Sequence, residues 1–213
     1  KLNICADSLI KMREFKDKEF DLCLTDPPYN AKHIGPNKRE YSLGQMQLPE
    51  AEYKLFCKTW FDEAIRISRS LVFTPGIANT HNYPQPFWQV AWHKPASVSF
   101  NRMGGFNAWE PIFCYGEVTK ARLGQDYIKF NTLNFNKGLE KKHPCPKPLG
   151  LWKFLITKFS KEGEIIIDPF HGSGTTGKGC LELKRRFLGI DINPNYVDIA
   201  DKRIECFTED LFV

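Results

Sequence analysis

"EIIIDPFHGSGTTGKG" runs from Glu164 to Gly179. Its apolar start, Glu164–Ile167, lacks polar alternation, as a strand buried on both faces should. Asp168-Pro169 ends that run, because proline has no N–H to give to a strand ladder. Glycines follow at 172, 174 and 177, and from Thr175 to Lys184 the pattern is helical. Strand, glycine turn and helix make half of a βαβ unit, which predicts a parallel sheet covered by helices.

The same alternation continues on both sides of this unit. Further strands are predicted at Leu2–Cys5, Asp21–Thr25, Leu71–Thr74, Gln89–Trp92, Pro111–Tyr115 and Phe187–Ile190. Glu50–Ser68 is a helix with Tyr53, Phe56, Trp60, Ala64 and Ile67 on one face. Leu149–Phe159 is another, with Trp152, Leu155, Ile156 and Phe159 inward. The last helix starts with Asn193 as N-cap and Pro194 at its first position. The pair of strands within 87–116 has no helix between its members and reads as an antiparallel hairpin at one edge. Segments 30–50 and 117–146 carry little periodic signal, as functional loops often do. No repeat divides the chain, and its 213 residues suit one domain, 1–213.

The glycine turn fits three templates. Gly172-x-Gly174-x-x-Gly177 matches a dinucleotide fingerprint, with Asp191 nineteen residues past Gly172. Gly172-x4-Gly177-Lys178 approaches a phosphate loop, but Gly179 stands where Ser or Thr should hold magnesium. The third is a methyl-donor loop, Asp-Pro-Phe-x-Gly-x-Gly-Thr-Thr, comprising Asp168, Phe170, Gly172, Ser173, Gly174, Thr175 and Thr176. Charge separates them. A carboxylate at position 168 opposes a pyrophosphate, yet it suits S-adenosylmethionine, which carries an ammonium and a sulfonium. Asp191 is placed to accept the ribose hydroxyls, and glycine lets backbone approach the ligand closely.

A second strand also ends in proline. "FDLCLTDPPYN" (20–30) breaks off at Asp26-Pro27-Pro28-Tyr29. The prolines fix φ and remove two donors, and Asp26 is held extended by the proline after it. An exocyclic amine on adenine or cytosine is a poor nucleophile, because its lone pair is delocalised into the ring. Two acceptors on its hydrogens draw the nitrogen towards tetrahedral geometry. The Asp26 carboxylate and the Pro27 carbonyl suit that task, Pro28 stiffens the turn, and Tyr29 offers a ring on which a base can stack. A carboxylate with an ordinary pKa of about 3.9 positions the amine without deprotonating it first.

Composition agrees with a soluble α/β enzyme: 42% hydrophobic, 26% charged, net charge +5. No apolar run approaches the ~20 residues of a membrane span, and the first residues lack the apolar core of a signal peptide. Seven scattered cysteines without a CxxC pair read as reduced thiols, hence a cytoplasmic location. Residues 117–148 hold seven Lys/Arg against three acids, a surface that suits phosphates. The five histidines show no metal-ligand spacing with cysteine, so no metal is expected.

These motifs together resemble the DNA amino-methyltransferases in their circularly permuted "beta" arrangement, where the DPPY motif comes first and the donor loop last. The likeness covers nearly the whole chain. "ADSLIKMREFKDKEFDLCLTDPPYN" (6–30) resembles the family's opening, "WHKPASVSFNRMGGFNAWEPIFCYG" (92–116) its hairpin, and "HPCPKPLGLWKFLI" (143–156) the segment before the donor loop. "DPFHGSGTTGKGC" and "RRFLGIDINPNYVDIADKRI" resemble the loop and the ribose-binding strand.

The resemblance implies a Rossmann-like methyltransferase fold: a seven-stranded mixed sheet, helices on both faces, an antiparallel edge hairpin, and both sites at the carboxyl edge. It implies that Asp7 contacts the donor's adenine amine. It places His143, Lys147 and Pro148 near the methionine end, with Asp26 touching the donor as well as the target. The activity implied is methylation of adenine N6 in DNA by S-adenosyl-L-methionine, as part of prokaryotic or phage restriction-modification. A stacked base cannot reach such a pocket, so the target must flip out. Lys32, Lys38 and Arg39 follow DPPY and could close on DNA, while Lys120, Arg122 and Lys129 lie in the target-recognition position, about 117–142. That segment is short, which suggests a brief recognition site or help from a second subunit in a homodimer.

The nearest rival activity is cytosine-N4 methylation, since the two amines present similar geometry; Asp rather than Ser at the first motif position favours adenine by resemblance. An NAD-dependent oxidoreductase is a third class, and a nucleic-acid-binding module without catalysis a fourth. Pro144-Cys145 resembles the nucleophile of carbon methylation, but that chemistry would leave DPPY unexplained.

Overall fold

The computed structural model of the chain describes residues 2–30, 47–95, 101, 103–118, 124–131 and 147–208. Their strands build one sheet of eight: β1 (Asn3–Cys5), β2 (Phe20–Thr25), β3 (Ser68–Phe73), β4 (Trp88–His93), β5 (Trp109–Gly116), β6 (Tyr127–Lys129), β7 (Ile165–Asp168) and β8 (Arg186–Asp191). The helices are α1 (Ser8–Met12), α2 (Glu50–Ile67), α3 (Leu149–Phe159), α4 (Thr175–Glu182) and α5 (Pro194–Thr208), with a 3₁₀ turn at Ile77–Asn82. Among the described residues, no helix is long and apolar enough to cross a membrane.

The strand order is β1-β8-β7-β2-β3-β5-β4-β6. The first five strands of that order are mutually parallel. Only β5 runs against its neighbours, pairing antiparallel with β3 and β4, while β6 returns parallel to β4. Two expectations are corrected here. The sheet has eight strands rather than seven, and the β4–β5 pair is not the edge, because β6 lies outside it. Three residues are too few to show a period; Tyr127–Lys129 is a strand because β4 supplies its partner.

The missing polar alternation in β2 has its reason in the two cores. Cys23 packs on one face with Trp60, Leu71, Phe73 and Ile167, beneath α1 and α2. Leu22 and Leu24 pack on the other with Val72, Ile166, Trp152 and Leu155, beneath α3 and α4. Trp60 is wholly buried and meets Phe73 edge-on at 5.0 Å between centroids, the geometry the ring quadrupoles prefer. From β7 the chain crosses through α4 to β8 on one side, and from β2 through α2 to β3 on the other. The β7–β2 boundary is therefore a topological switch point, where open α/β sheets form a crevice at their carboxyl ends.

Candidate active site

Both proline-terminated strands end at that crevice. β2 and β7 are neighbours in parallel register, Leu22 beside Ile166 and Cys23 beside Ile167. Their tips are tied side chain to side chain: the Thr25 hydroxyl donates to Asp168 Oδ1 at 2.6 Å. Asp26, the residue after Thr25, therefore stands next to the start of the glycine turn.

Carboxylates line this edge. Across β1, β8, β7 and β2, each strand ends in or is closely followed by an aspartate: Asp7, Asp191, Asp168 and Asp26. Asp7 caps α1, its Oδ1 accepting from Leu9 N at 2.8 Å and Ile10 N at 3.3 Å. Asp191 accepts from Gly172 N at 2.9 Å and Asn193 N at 2.8 Å. Burial pushes the Asp191 carboxyl above its ordinary pKa, and these two backbone bonds oppose the rise.

Asp168 is 3% exposed. Besides Thr25, it accepts from Phe170 N at 3.1 Å and Thr176 Oγ1 at 2.5 Å. Thr176 in turn accepts from the Trp152 indole at 2.6 Å. Burial raises the Asp168 carboxyl to about 7; the hydroxyls of Thr176 and Thr25 and the Phe170 N–H pull it down, and the Asp26 charge adds to the rise. Both oxygens of Asp168 thus hold the loop together from inside.

Gly172 and Gly174 take the positive φ that the turn requires, 51° and 80°, and Gly174 is the N-cap of α4. A Cβ on Gly174 would lie 2.7 Å from the Cβ of Ala200 on α5. Gly174→Ala is therefore expected to destabilise the fold by about 2–3 kcal/mol, from backbone strain and overpacking together. The check is a lower urea midpoint at unchanged slope. Ser173 and Thr175 are buried, and Arg203 of α5 donates to the Ser173 carbonyl at 2.6 Å. The Ser8 hydroxyl bonds the Pro169 carbonyl. The Phe170 ring packs into the core, 5.9 Å from Phe56 and 5.8 Å from Trp60.

The DPPY side is equally braced. Tyr29 and Thr74 both donate to Asp26 Oδ1, and Lys147 Nζ lies 2.7 Å from Asp26 Oδ2. Lys147 also sits 5.2 Å from the Tyr29 ring centroid. Burial, then the charges of Asp26 and Glu110, hold the Tyr29 phenol well above its usual pKa, so it stays a donor. The Tyr53 hydroxyl fixes the Pro28 carbonyl at 3.1 Å. No described residue donates a hydrogen bond to the Pro27 carbonyl. Asn30 and Leu48 exchange two hydrogen bonds, 2.9 and 3.0 Å. Pro148 is the N-cap of α3.

Lys94, on the loop after β4, is buried against Trp92 and ion-paired with Glu110. Lys129 is exposed at the end of β6. In the same region, Phe130 packs on Phe154 and α3, whereas Tyr127 is half exposed and bonded to His93. Lys32, Lys38, Arg39, Lys120, Arg122 and His143 lie outside the described residues. Sequence reasoning missed Ser8, Thr25, Thr74, Trp152 and Arg203. Thr25 and Thr74 alone carried a signal, each a hydroxyl at the end of an apolar strand.

The acids on this edge form a set of anionic acceptors suited to a cationic ligand bearing hydroxyls and an amine, and unsuited to a pyrophosphate. Comparison with known proteins agrees. The type II methyltransferase M2.DpnII of Streptococcus pneumoniae is 47% identical, over 96% of this chain and 89% of that protein. The chain belongs to the N6/N4 family of DNA methylases. The family model, described as DNA methylase, matches residues 107–202. The type II methyltransferase M2.LlaDCHI of Lactococcus lactis subsp. cremoris is 46% identical, over 93% of this chain and 87% of that one. Among solved structures, PvuII DNA methyltransferase (cytosine-N4-specific) shares the fold with a TM-score of 0.70 at 18% identity, covering 97% of this chain and 89% of its own. M1.HpyAVI, solved as a complex with S-adenosylmethionine, superposes with a TM-score of 0.65 at 23% identity, over 95% and 98% of the two chains. As an N6/N4 methylase, this chain is an S-adenosyl-L-methionine-dependent DNA methyltransferase of the restriction-modification type.

Proposed function

We propose that this N6/N4 methylase transfers a methyl group to the N6 amine of adenine in DNA. Transfer to an exocyclic amine is supported by the Thr25–Asp168 bond of 2.6 Å, which sets the DPPY turn beside the donor loop. Asp26, at the position where Ser is commoner for cytosine, favours adenine by resemblance. S-Adenosyl-L-methionine supplies an electrophilic methyl on a cationic sulfur. Asp191 is assigned to the ribose hydroxyls and Asp7 to the adenine amine of the donor, with the backbone of Gly172 to Gly174 against its amino-acid end. Asp168, Thr175, Thr176 and Phe170 hold that loop in shape, and Ser173 does so through Arg203. Pro148 starts the helix that braces it.

On the target side, Asp26 Oδ2 and the Pro27 carbonyl each accept one hydrogen of the amine. The nitrogen lone pair is then directed at the methyl. As the C–N bond forms the C–S bond would break, its electron pair staying with the neutral sulfur of S-adenosylhomocysteine, and the amine proton would pass afterwards through Asp26 Oδ2 to water. Tyr29 and Thr74 fix the carboxylate rotamer, so the gain is positional and electrostatic. The target base reaches this crevice flipped out of the duplex. The carboxyl ends of β4 and β6 and the start of β5 share this edge, and there His93, Trp109, Tyr127 and Lys129 form an aromatic and basic rim. That rim, with the basic segment about 117–142, suits the DNA strand beside the flipped base.

Transfer of labelled methyl to unmethylated DNA, followed by digestion to nucleosides, tests the reading. N6-methyladenine is the expected product. N4-methylcytosine would replace adenine by the rival base, and no incorporation would remove the activity.

A further inference from the structure

Asp26 already holds three donors before any nucleobase arrives. Tyr29 and Thr74 occupy Oδ1, and the Lys147 ammonium occupies Oδ2 at 2.7 Å. Both members of the Lys147–Asp26 ion pair are largely shielded, their side chains 13% and 24% exposed. The same ammonium lies 5.2 Å from the Tyr29 ring centroid. Lys147 thus covers the two features that the proposed function gives to the target base: the second carboxylate oxygen and an aromatic face. Oδ2 has room for a second donor, as Oδ1 does. The ammonium, however, lies against both that oxygen and the Tyr29 ring where the base would sit, and a neutral N–H, the weaker donor, does not displace it unaided. Another anion must draw the ammonium away. Glu110, the acid whose charge also reaches Tyr29, is already bound to Lys94.

The methyl donor brings a carboxylate of its own at its amino-acid end. Lys147 is well placed to meet it. It directly precedes Pro148, the N-cap of α3. One turn further on, Trp152 holds Thr176 at 2.6 Å, in the first turn of α4 behind the donor loop. One short segment therefore touches the acceptor carboxylate at one end and the donor loop at the other.

We propose that Lys147 is a latch between the two sites: the donor's carboxylate draws its ammonium off Asp26 Oδ2, which opens the carboxylate and the Tyr29 ring to the target base. The proposal rests on the assignment of Asp26 as the amine acceptor. It makes donor binding a precondition for tight target binding, and the coupling is reciprocal, since each ligand strengthens the other by the same factor.

The test measures DNA binding rather than turnover. Fluorescence anisotropy of an unmethylated duplex is recorded with saturating S-adenosylhomocysteine and, separately, with its decarboxylated analogue. The wild-type protein is expected to bind DNA about tenfold more tightly with the carboxylate-bearing ligand, the scale of one charge-assisted hydrogen bond. Lys147→Met is expected to bind DNA equally well with both, and Lys147→Arg to keep most of the difference. Saturable binding of the decarboxylated analogue to Lys147→Met shows that the variant is folded. Equal DNA affinities in the wild type, or a difference that survives in Lys147→Met, overturns the latch. Asp26→Asn is measured alongside for methyl transfer. Retained transfer in that variant removes the Asp26 assignment, whereas lost transfer without carboxylate-dependent DNA binding in the wild type removes the latch alone.

Discussion

Asp26→Ala is expected to lower methyl transfer by at least about 10²–10³-fold, the usual cost of one preorganised electrostatic contact to a reacting group. Affinity for S-adenosylhomocysteine should change only a few-fold. The separation follows from the fold. Asp26 ends β2, while the glycine turn belongs to β7 and α4 and is held by Asp168, Arg203 and Ser8. Alanine removes the acceptor for the amine and the counter-charge of Lys147 together. Asp26→Asn keeps the volume and an oxygen for Tyr29 and Thr74, yet it presents no charge to Lys147 or to the amine. A rate loss in Asn close to that in Ala would show that charge, and not shape, is what the reaction needs. Labelled-methyl transfer and calorimetry with S-adenosylhomocysteine give the two readings. Near-normal turnover would remove the amine-acceptor role, and a collapse of donor affinity would make the donor contact that the likeness implies for Asp26 its main one.

Strand ends marked by proline made the two halves of this crevice legible in the sequence. Asp26-Pro27 and Asp168-Pro169 each pair an acid with a residue that cannot continue a ladder, so both carboxylates could be placed at strand tips without coordinates. The helices with a clear apolar face, α2 and α3, were equally plain. Short elements were not. β6 has three residues and exists through its pairing with β4. α1 has five, and its signal is the cap residue Asp7, to which the family likeness also gives a contact with the donor. The partners of the catalytic-edge carboxylates were beyond reach for another reason. Thr74 meets Asp26 across 48 residues and Thr25 meets Asp168 across 143, and a single sequence carries no record of which hydroxyl faces which acid. The direct bond of Lys147 to Asp26 is likewise not written in a single sequence, although the likeness places both residues near the donor.

Asp168→Ala is expected to destabilise the fold by about 3–5 kcal/mol, since it strands the Thr25 and Thr176 hydroxyls and the Phe170 N–H in a buried site. Asp168→Asn separates this bonding from the charge. In the folded protein, burial raises the Asp168 carboxyl from 3.8 to about 7. The folded state therefore binds a proton more tightly than the unfolded chain. Its contribution to stability is fully present below about pH 4 and is lost as pH rises to about 7. Asparagine cannot ionise, so the stability of Asp168→Asn relative to wild type should climb across that window by an amount on the order of a few kcal/mol and level off above it. Urea unfolding of both proteins from pH 4 to pH 8 measures the difference, and groups common to the two cancel. A flat difference would mean that Asp168 stays ionised inside the network, its three hydrogen bonds outweighing its burial. A rising one would mean that the residue joining the two motifs sits near half-protonation at neutral pH. A cationic donor in the crevice would then favour loss of that proton, so donor binding should strengthen as pH rises from about 6 to 8 in the wild type and not in Asp168→Asn.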